Sequence, residues 1–406
     1  MQTEDLLEAI LPLDVWDTHT HLQGETLGAR SFWEIGHYFW YLSELLAAGY
    51  PADYRSLSDE ARIEEARLVA YAEAYQATRN TAMHWVLRRI FLDLYQIEID
   101  GPRSIRAADE AVRATASRPD WAREVCARGA IRRIVVNTAP DHPFPHLPGV
   151  SCLVPRIEEH AAGWIARLKA GAEAGDLDSV GEAVHEEAGA LLAGFAASGS
   201  RGVMTSLEPF GDLHLRGPAA GAAGRVGASP GADRASQAAF VLRALCGAAE
   251  REGLFLQLLS GIEPVPGAGR VQVNDPRRLL PLYRYFREYD CPFELVLGSS
   301  LDNLVAVQAA TLFRNVHVGG MWWYNFRPST YRQSMQYRLE GLPPSKSVLV
   351  VSDARSIEWC YGKVLLVKRL LAEVLADQVQ RGWLGREDAL WVAREWLHEA
   401  PARRYG

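Results

Sequence analysis

Two histidines one residue apart, His19 and His21 in Asp17-Thr18-His19-Thr20-His21, end a short apolar run near the start of the chain. In a β-strand residues i and i+2 share a face, so the two imidazoles converge on one side. Two neutral imidazole nitrogens at that spacing suit a divalent transition metal. Short HxH patterns also arise by chance in a chain with eleven histidines, so the pair needs a third group. The far end of the chain offers one. Residues 348–352 read as a buried strand and lead into Asp353-Ala354-Arg355-Ser356. An ionisable pair just after a strand sits where barrel enzymes place catalytic groups. The plainer alternative is that Asp353 and Ser356 cap the helix that follows.

The elements that must position these groups alternate. Eight short apolar runs, most of them β-branched (15–19, 134–138, 152–155, 202–206, 254–258, 293–298, 316–319 and 347–352), are separated mostly by helical stretches, the pattern of a closed parallel barrel. The expected fold is therefore an α/β class (β/α)₈ barrel in which first and eighth strands are neighbours, so that Asp353 can reach a metal held by His19 and His21. All 406 residues are read as one barrel domain. A bare barrel needs only about 250 residues, which leaves room for insertions. The largest, 33–128, is aromatic-rich, has helical spacing and is expected to cover the barrel mouth. Residues 158–197 read as one or two more helices, and 215–235, rich in Gly, Ala and Pro, as a surface loop. Amphipathic helices are expected at 364–380 and 386–399.

Further candidates fall at strand ends. Arg156 follows the third strand, where a guanidinium could take a carboxylate bidentately or form a structural ion pair. Glu208 follows the fourth strand and Ser260 the fifth. Trp322-Trp323-Tyr324-Asn325 follows a Gly-Gly pair and reads as a pocket wall, and His37-Tyr38 opens the helical insertion. No GxxxxGK[ST] loop, Rossmann GxGxxG or GxSxG elbow is present. The five cysteines are scattered, with no CxxC pair, and read as reduced thiols of a cytoplasmic protein. The net charge of −7, with no basic run, argues against nucleic acid or an anionic membrane as partner. No stretch is apolar enough to span a membrane, and the acidic N-terminus is not expected to be a signal peptide. A chain of this size with many aromatic residues is also a candidate homo-oligomer.

Five passages in order resemble the uronate isomerases, a divergent branch of the metal-dependent amidohydrolase barrels. They are DTHTHL at 17–22, GHYFWYLSELLAAGY at 36–50, GGMWWYNF at 319–326, VVSDARS at 350–356 and the closing EWLHEAPARRYG. The resemblance implies aldose–ketose isomerisation of a hexuronate, such as glucuronate to fructuronate, with a small sugar acid as ligand. It implies one divalent metal, zinc first and manganese next, at His19, His21 and Asp353. Tyr38 and Arg355 would stand beside the reacting carbons together with Asp353, and Arg156 at the sugar carboxylate. His37, Trp322, Trp323 and Asn325 would complete the substrate site.

The chain also departs from that family. Where the family has Gln-Leu-His-Ile-Gly, this sequence has Gln257-Leu258-Leu259-Ser260-Gly261, so one site histidine is absent. Glu208 and His214 are the candidates to replace it. The family's Asp-His after the fourth strand falls near Thr205-Ser206-Leu207 here. Charged family positions are Phe39, Tyr41 and Phe326, which predicts a more apolar mouth. Three readings follow: a uronate isomerase, a metal-dependent hydrolase or lyase acting on a less charged substrate, and a barrel that binds without catalysis.

Overall fold

The computed structural model describes residues 3–22, 27–53, 65–140, 144, 146–215, 230–265, 269–273, 275–322 and 326–406. Its parallel strands are β1 (Val15–Thr20), β2 (Ile131–Val136), β3 (Ser151–Leu153), β4 (Gly202–Ser206), β5 (Phe255–Ser260), β8 (Phe293–Leu297) and β9 (Val316–Met321). They pair in the order β1-β2-β3 and β4-β5-β8-β9. An antiparallel hairpin, β6 (Ile262–Val265) and β7 (Gly269–Gln272), is inserted after β5.

Backbone contacts join the two parallel sheets into a ring. On one side Arg156 bridges to Met204, with Met204 N bonded to Pro155 O at 2.8 Å and Ile157 N to Met204 O at 2.9 Å. On the other side segment 347–353 takes the eighth place. Ser347 bridges to Val318, Thr18 N reaches Val350 O at 2.9 Å, and Asp353 N reaches His19 O at 2.9 Å. The Asp17 carboxylate accepts from Ser352 N at 2.9 Å, so the seam is held by a side chain as well as by backbone. The Gly319-Gly320 pair lets β9 fit between its neighbours. A Cβ at Gly319 would stand 2.8 Å from Val296 Cγ2, and one at Gly320 2.6 Å from Val351 Cγ2.

The expected eight-stranded parallel ring is therefore present, with three differences. The second strand begins at Ile131, three residues early, because Ile131 is buried with Ile134 and extends the apolar face. The eighth segment follows β9 and β1 through isolated contacts rather than a regular ladder. The hairpin after β5 was not anticipated, since Pro264 and a glycine-rich turn break its alternation.

Period-two alternation divides the strands between two cores. Inward-facing Trp16, Val135, Met204, Phe255, Leu259, Val296 and Val351 fill the barrel with Trp322 and Tyr405. Outward-facing Ile134, Val203, Leu256, Leu258 and Leu295 pack under the helices. Helices Glu158–Ala174 and Leu177–Ala197 follow β3, Arg234–Glu252 follows β4, Asp302–Leu312 follows β8, and Pro328–Gly341 follows β9. Ile357–Gln380 follows the eighth segment and starts seven residues before its expected position. Between β1 and β2 the chain runs through helices from Phe32–Gly36 to Trp121–Gly129, as the sequence leads one to expect. Most of the expected loop at 215–235 lies outside the described residues. No described helix is long and apolar enough to cross a membrane.

Candidate metal centre

β1 carries His19, fully buried, near its C-terminal end, and His21, at 18% side-chain exposure, directly follows the strand. Across the seam, Asp353 is also buried. The Nε2 atoms of the two histidines stand 3.2 Å apart, and Asp353 Oδ1 lies 3.5 Å from His19 Nε2 and 3.2 Å from His21 Nε2. All the donor atoms lie within 4.8 Å of one another. Among the described residues, this is the grouping of three such side chains that could hold a metal ion.

The surroundings fix the donors' chemistry. His19 Nδ1 is 3.3 Å from Gln257 Oε1. The Gln257 amide nitrogen faces three oxygens, Thr18 O (3.0 Å), Glu294 Oε1 (3.1 Å) and Tyr405 Oη (3.0 Å), which orients its Oε1 toward the imidazole. His19 therefore carries its proton on Nδ1 and presents a lone pair at Nε2, the tautomer a metal needs. Burial lowers the His19 pKa and keeps the ring neutral. Burial pushes the Asp353 carboxyl up, but its contacts with the His19 and His21 rings outweigh it and hold the group well below the ordinary carboxylate range. Two neutral imidazoles and one carboxylate, aimed at a common point and open on the His21 side, fit a divalent ion with free coordination positions.

Asp353 has a backbone φ of +54°, in the left-handed region that Asp visits more easily than most residues. This turn swings its carboxylate back toward β1. Three side chains hold the turn. Tyr38 Oη donates to Asp353 O at 2.8 Å, Trp40 Nε1 donates to Asp353 Oδ2 at 3.0 Å, and Lys363 Nζ donates to Tyr38 Oη and to Ser352 O. Lys363 is fully buried under the rings of Tyr38 and Phe326, at 4.4 and 4.1 Å from their centroids, and burial pulls its pKa down to about 7. Ser356, by contrast, makes no side-chain cap bond to the helix it precedes. Asp353 is committed to the histidines and to Trp40, so the capping alternative fails for both residues.

The other sequence candidates divide. Arg355 is exposed, its guanidinium 4.9 Å from the centroid of the Phe39 ring, two residues from Asp353. Trp322 stands edge-on to His19 with centroids 6.3 Å apart and walls the trio on the barrel side. Tyr38 is buried with its hydroxyl spent on the Asp353 carbonyl, so it positions that residue. Arg156 is ion-paired with Glu158, its neighbour two residues on. His37 sits among Trp33, Tyr50 and Tyr71 with Nε2 3.0 Å from Tyr50 Oη, inside the helical insertion. Tyr41, expected at the mouth, is buried in the same insertion with its hydroxyl 2.9 Å from Thr78 Oγ1. Trp323 and Asn325 lie outside the described residues, as does the side chain of His214. Leu259 is buried in the barrel, and Glu208 lines a small cleft with Leu259 and Ser260 without joining the trio. Trp40, Gln257 and Lys363 escaped the sequence reading. Trp40 lies inside a passage that carries the family resemblance and Gln257 opens the one where the chain departs from it, whereas Lys363 reads as an ordinary helix lysine.

In sequence, no family model and no curated protein matches the chain. In structure it is similar to uronate isomerase from Thermotoga maritima, with a TM-score of 0.76 at 15% identity over 100% of this chain and 97% of that one. It is similar to glucuronate isomerase from Caulobacter crescentus, with a TM-score of 0.74 at 15% identity over 99% and 94%. The uronate isomerase from Bacillus halodurans C-125 gives a TM-score of 0.73 at 15% identity over 99% and 95%. The chain has the fold of the uronate isomerases along its whole length.

Proposed function

We propose that this protein is a metal-dependent isomerase that interconverts the aldose and ketose forms of a hexuronate. The observation that carries the reading is the convergence of His19, His21 and Asp353 across the β1 seam, in a fold shared end to end with three isomerases. His19 and His21 supply nitrogen and Asp353 oxygen, a donor set suited to zinc and next to manganese. Bound there, a divalent ion supplies positive charge to the sugar oxygens.

The reaction moves one proton between C2 and C1 through an enediol. In the aldose-to-ketose direction Asp353 takes the proton from C2 as O1 gains one, giving the enediol; O2 then gives up its proton to become the carbonyl, and the Asp353 carboxyl, its proton exchangeable with solvent, delivers a proton to C1. An ionised carboxylate held by Trp40 at one oxygen is suited to that shuttle. Arg355, exposed and without a carboxylate partner among the described residues, is placed to steady the negative oxygens of the enediolate. Tyr38 and Lys363 hold the Asp353 turn. Helices 33–128 form the roof of the site, with Tyr38 and Trp40 as their contribution to it. Recognition of the sugar carboxylate by Arg156 requires that Glu158 give way to the substrate.

The test is turnover of glucuronate and galacturonate in deuterated water by protein of known metal content. The expected result is one metal per chain and solvent deuterium at C1 or C2 of the product. Absence of turnover across a panel of hexuronates, with zinc and with manganese, would sink the isomerase reading. The Arg156–Glu158 pair and the apolar Phe39 and Trp322 favour one second reading, hydrolysis or lyase chemistry on a less charged substrate at the same centre. That reading predicts turnover of uncharged or aromatic substrates where hexuronates fail.

A further inference from the structure

At the opposite end of the barrel, below the N-terminal ends of β4, β8 and β9, lies a cavity of about 500 Å³. Four arginines line it, Arg201, Arg314, Arg403 and Arg404, with His317 and one acid, Asp290. Arg201 precedes β4, Arg314 precedes β9, and Arg403 and Arg404 lie in helix Ala400–Tyr405, so three separate elements deliver the charge. Two of the four are neutralised locally, Arg314 by Asp290 at 2.8 Å and Arg403 by Glu395. Arg201 is exposed and has no ion pair among the described residues.

Arg404 is the unusual member. Its side chain is only 9% exposed, its one acid is Glu294 at 3.7 Å, beyond hydrogen-bond reach, and its Nε and Nη1 have no hydrogen-bond partner. A buried guanidinium with open donors is costly unless something satisfies it. Lys346, whose ammonium is satisfied by three backbone carbonyls, adds to the positive field nearby. The sum is a concave, net positive site lined by the half-satisfied Arg404 and by Arg201, which has no ion pair among the described residues.

We propose that this basal cavity is a binding site for a phosphate group, held by Arg404 and Arg201 at its inner and outer walls. Guanidinium forks match the geometry of tetrahedral oxyanions and bind them through paired charge-assisted hydrogen bonds. The ligand is a phosphate dianion, either free or esterified to a small molecule that the cavity has room for. The site lies on the face of the barrel away from the metal trio, where ligands act on stability rather than on chemistry.

Calorimetric titration of the full chain with inorganic phosphate, at constant ionic strength set with chloride, tests this. One saturable site is expected, with a melting temperature that rises with phosphate and not with chloride. Arg404→Gln and Arg201→Gln should each weaken phosphate by about tenfold or more. Arg201 is exposed, so its variant reports on binding even if Arg404→Gln folds poorly. Repeating the titration with glycerol phosphate separates the two sources: tighter binding than inorganic phosphate assigns the site to an ester, equal or weaker binding to the free ion. No saturable binding would overturn the proposal. So would phosphate binding that survives Arg201→Gln and disappears in a His19→Ala/His21→Ala variant, since that ion would sit at the metal centre.

Discussion

At the scale of single residues, the left-handed turn at Asp353 separates chemistry from folding. Asn tolerates positive φ nearly as well as Asp and can still accept from Trp40. With both proteins stripped of metal, Asp353→Asn should therefore melt within about 1–2 °C of the wild type, while on reloading it fails to hold stoichiometric metal and loses orders of magnitude in turnover. Metal analysis beside thermal melts reads both, and a large fall in melting temperature would return Asp353 to a structural role. Gln257 gives a second residue-scale test, because it touches the metal centre only through His19 Nδ1. Loss of an outer hydrogen bond to a ligating histidine typically costs about 10–100-fold in metal affinity or activity. Gln257→Leu should show that loss in a competition titration with a chelator. Unchanged affinity would mean that the His19 tautomer is fixed in another way.

At the scale of elements, helix Asp302–Leu312 begins on a buried charge. Asp302 is 1% exposed, accepts from Ser260 Oγ at 2.9 Å, and has its Oδ1 without a hydrogen-bond partner. Burial raises its pKa to about 6, against 3.8 for the free side chain. The folded state thus binds the proton more tightly, and this group's contribution to stability is complete below about pH 4 and lost as pH rises through 6. Two pH units correspond to roughly 3 kcal/mol. Asp302→Asn should remove that slope and stabilise the protein at pH 7, as measured by urea unfolding at pH 4.5 and 7; parallel pH curves for variant and wild type would refute it. Elements of this kind mark where the sequence is legible. β1, β4, β5, β8 and β9 announce themselves as short apolar runs, and the HxH and Asp-Ala-Arg signals lie at strand ends where local pattern is enough. Lys363 and Arg404 look like surface cations on amphipathic helices, and their burial depends on partners hundreds of residues away. Arg156 was visible as a strand-end cation, but its pairing with Glu158 depends on rotamers that no periodicity encodes. The β6–β7 hairpin was hidden because Pro and Gly interrupt the alternation that reveals a strand.

At the scale of the whole molecule, long-range cohesion rests on a few buried lysines and carboxylates. Lys368, on helix Ile357–Gln380, donates to Leu11 O at 2.7 Å, Leu13 O at 2.8 Å and Gly129 O at 3.1 Å. One ammonium thereby ties the entries to β1 and β2 to the last long helix. Lys368→Met keeps the length of the side chain but strands three carbonyls, which should cost on the order of 3–5 kcal/mol. Denaturant unfolding measures this, and a change under 1 kcal/mol would show that water takes over the three acceptors.

The seam between β1 and segment 347–353 has a meaning in time as well as in space. Thr18 bonds Val350 across 332 positions of sequence, and contacts of such separation carry the largest loop-closure cost and form late. His19 and His21 stand on one bank of the seam and Asp353 on the other, so an ion is gripped by all three only once the ring has shut. Such an ion cannot guide the early stages of folding; its binding energy falls on the closed state and lowers the rate at which the barrel reopens. The metal is then a latch whose presence is read in the unfolding rate, and amide exchange at Thr18 and Asp353 becomes a clock for its departure.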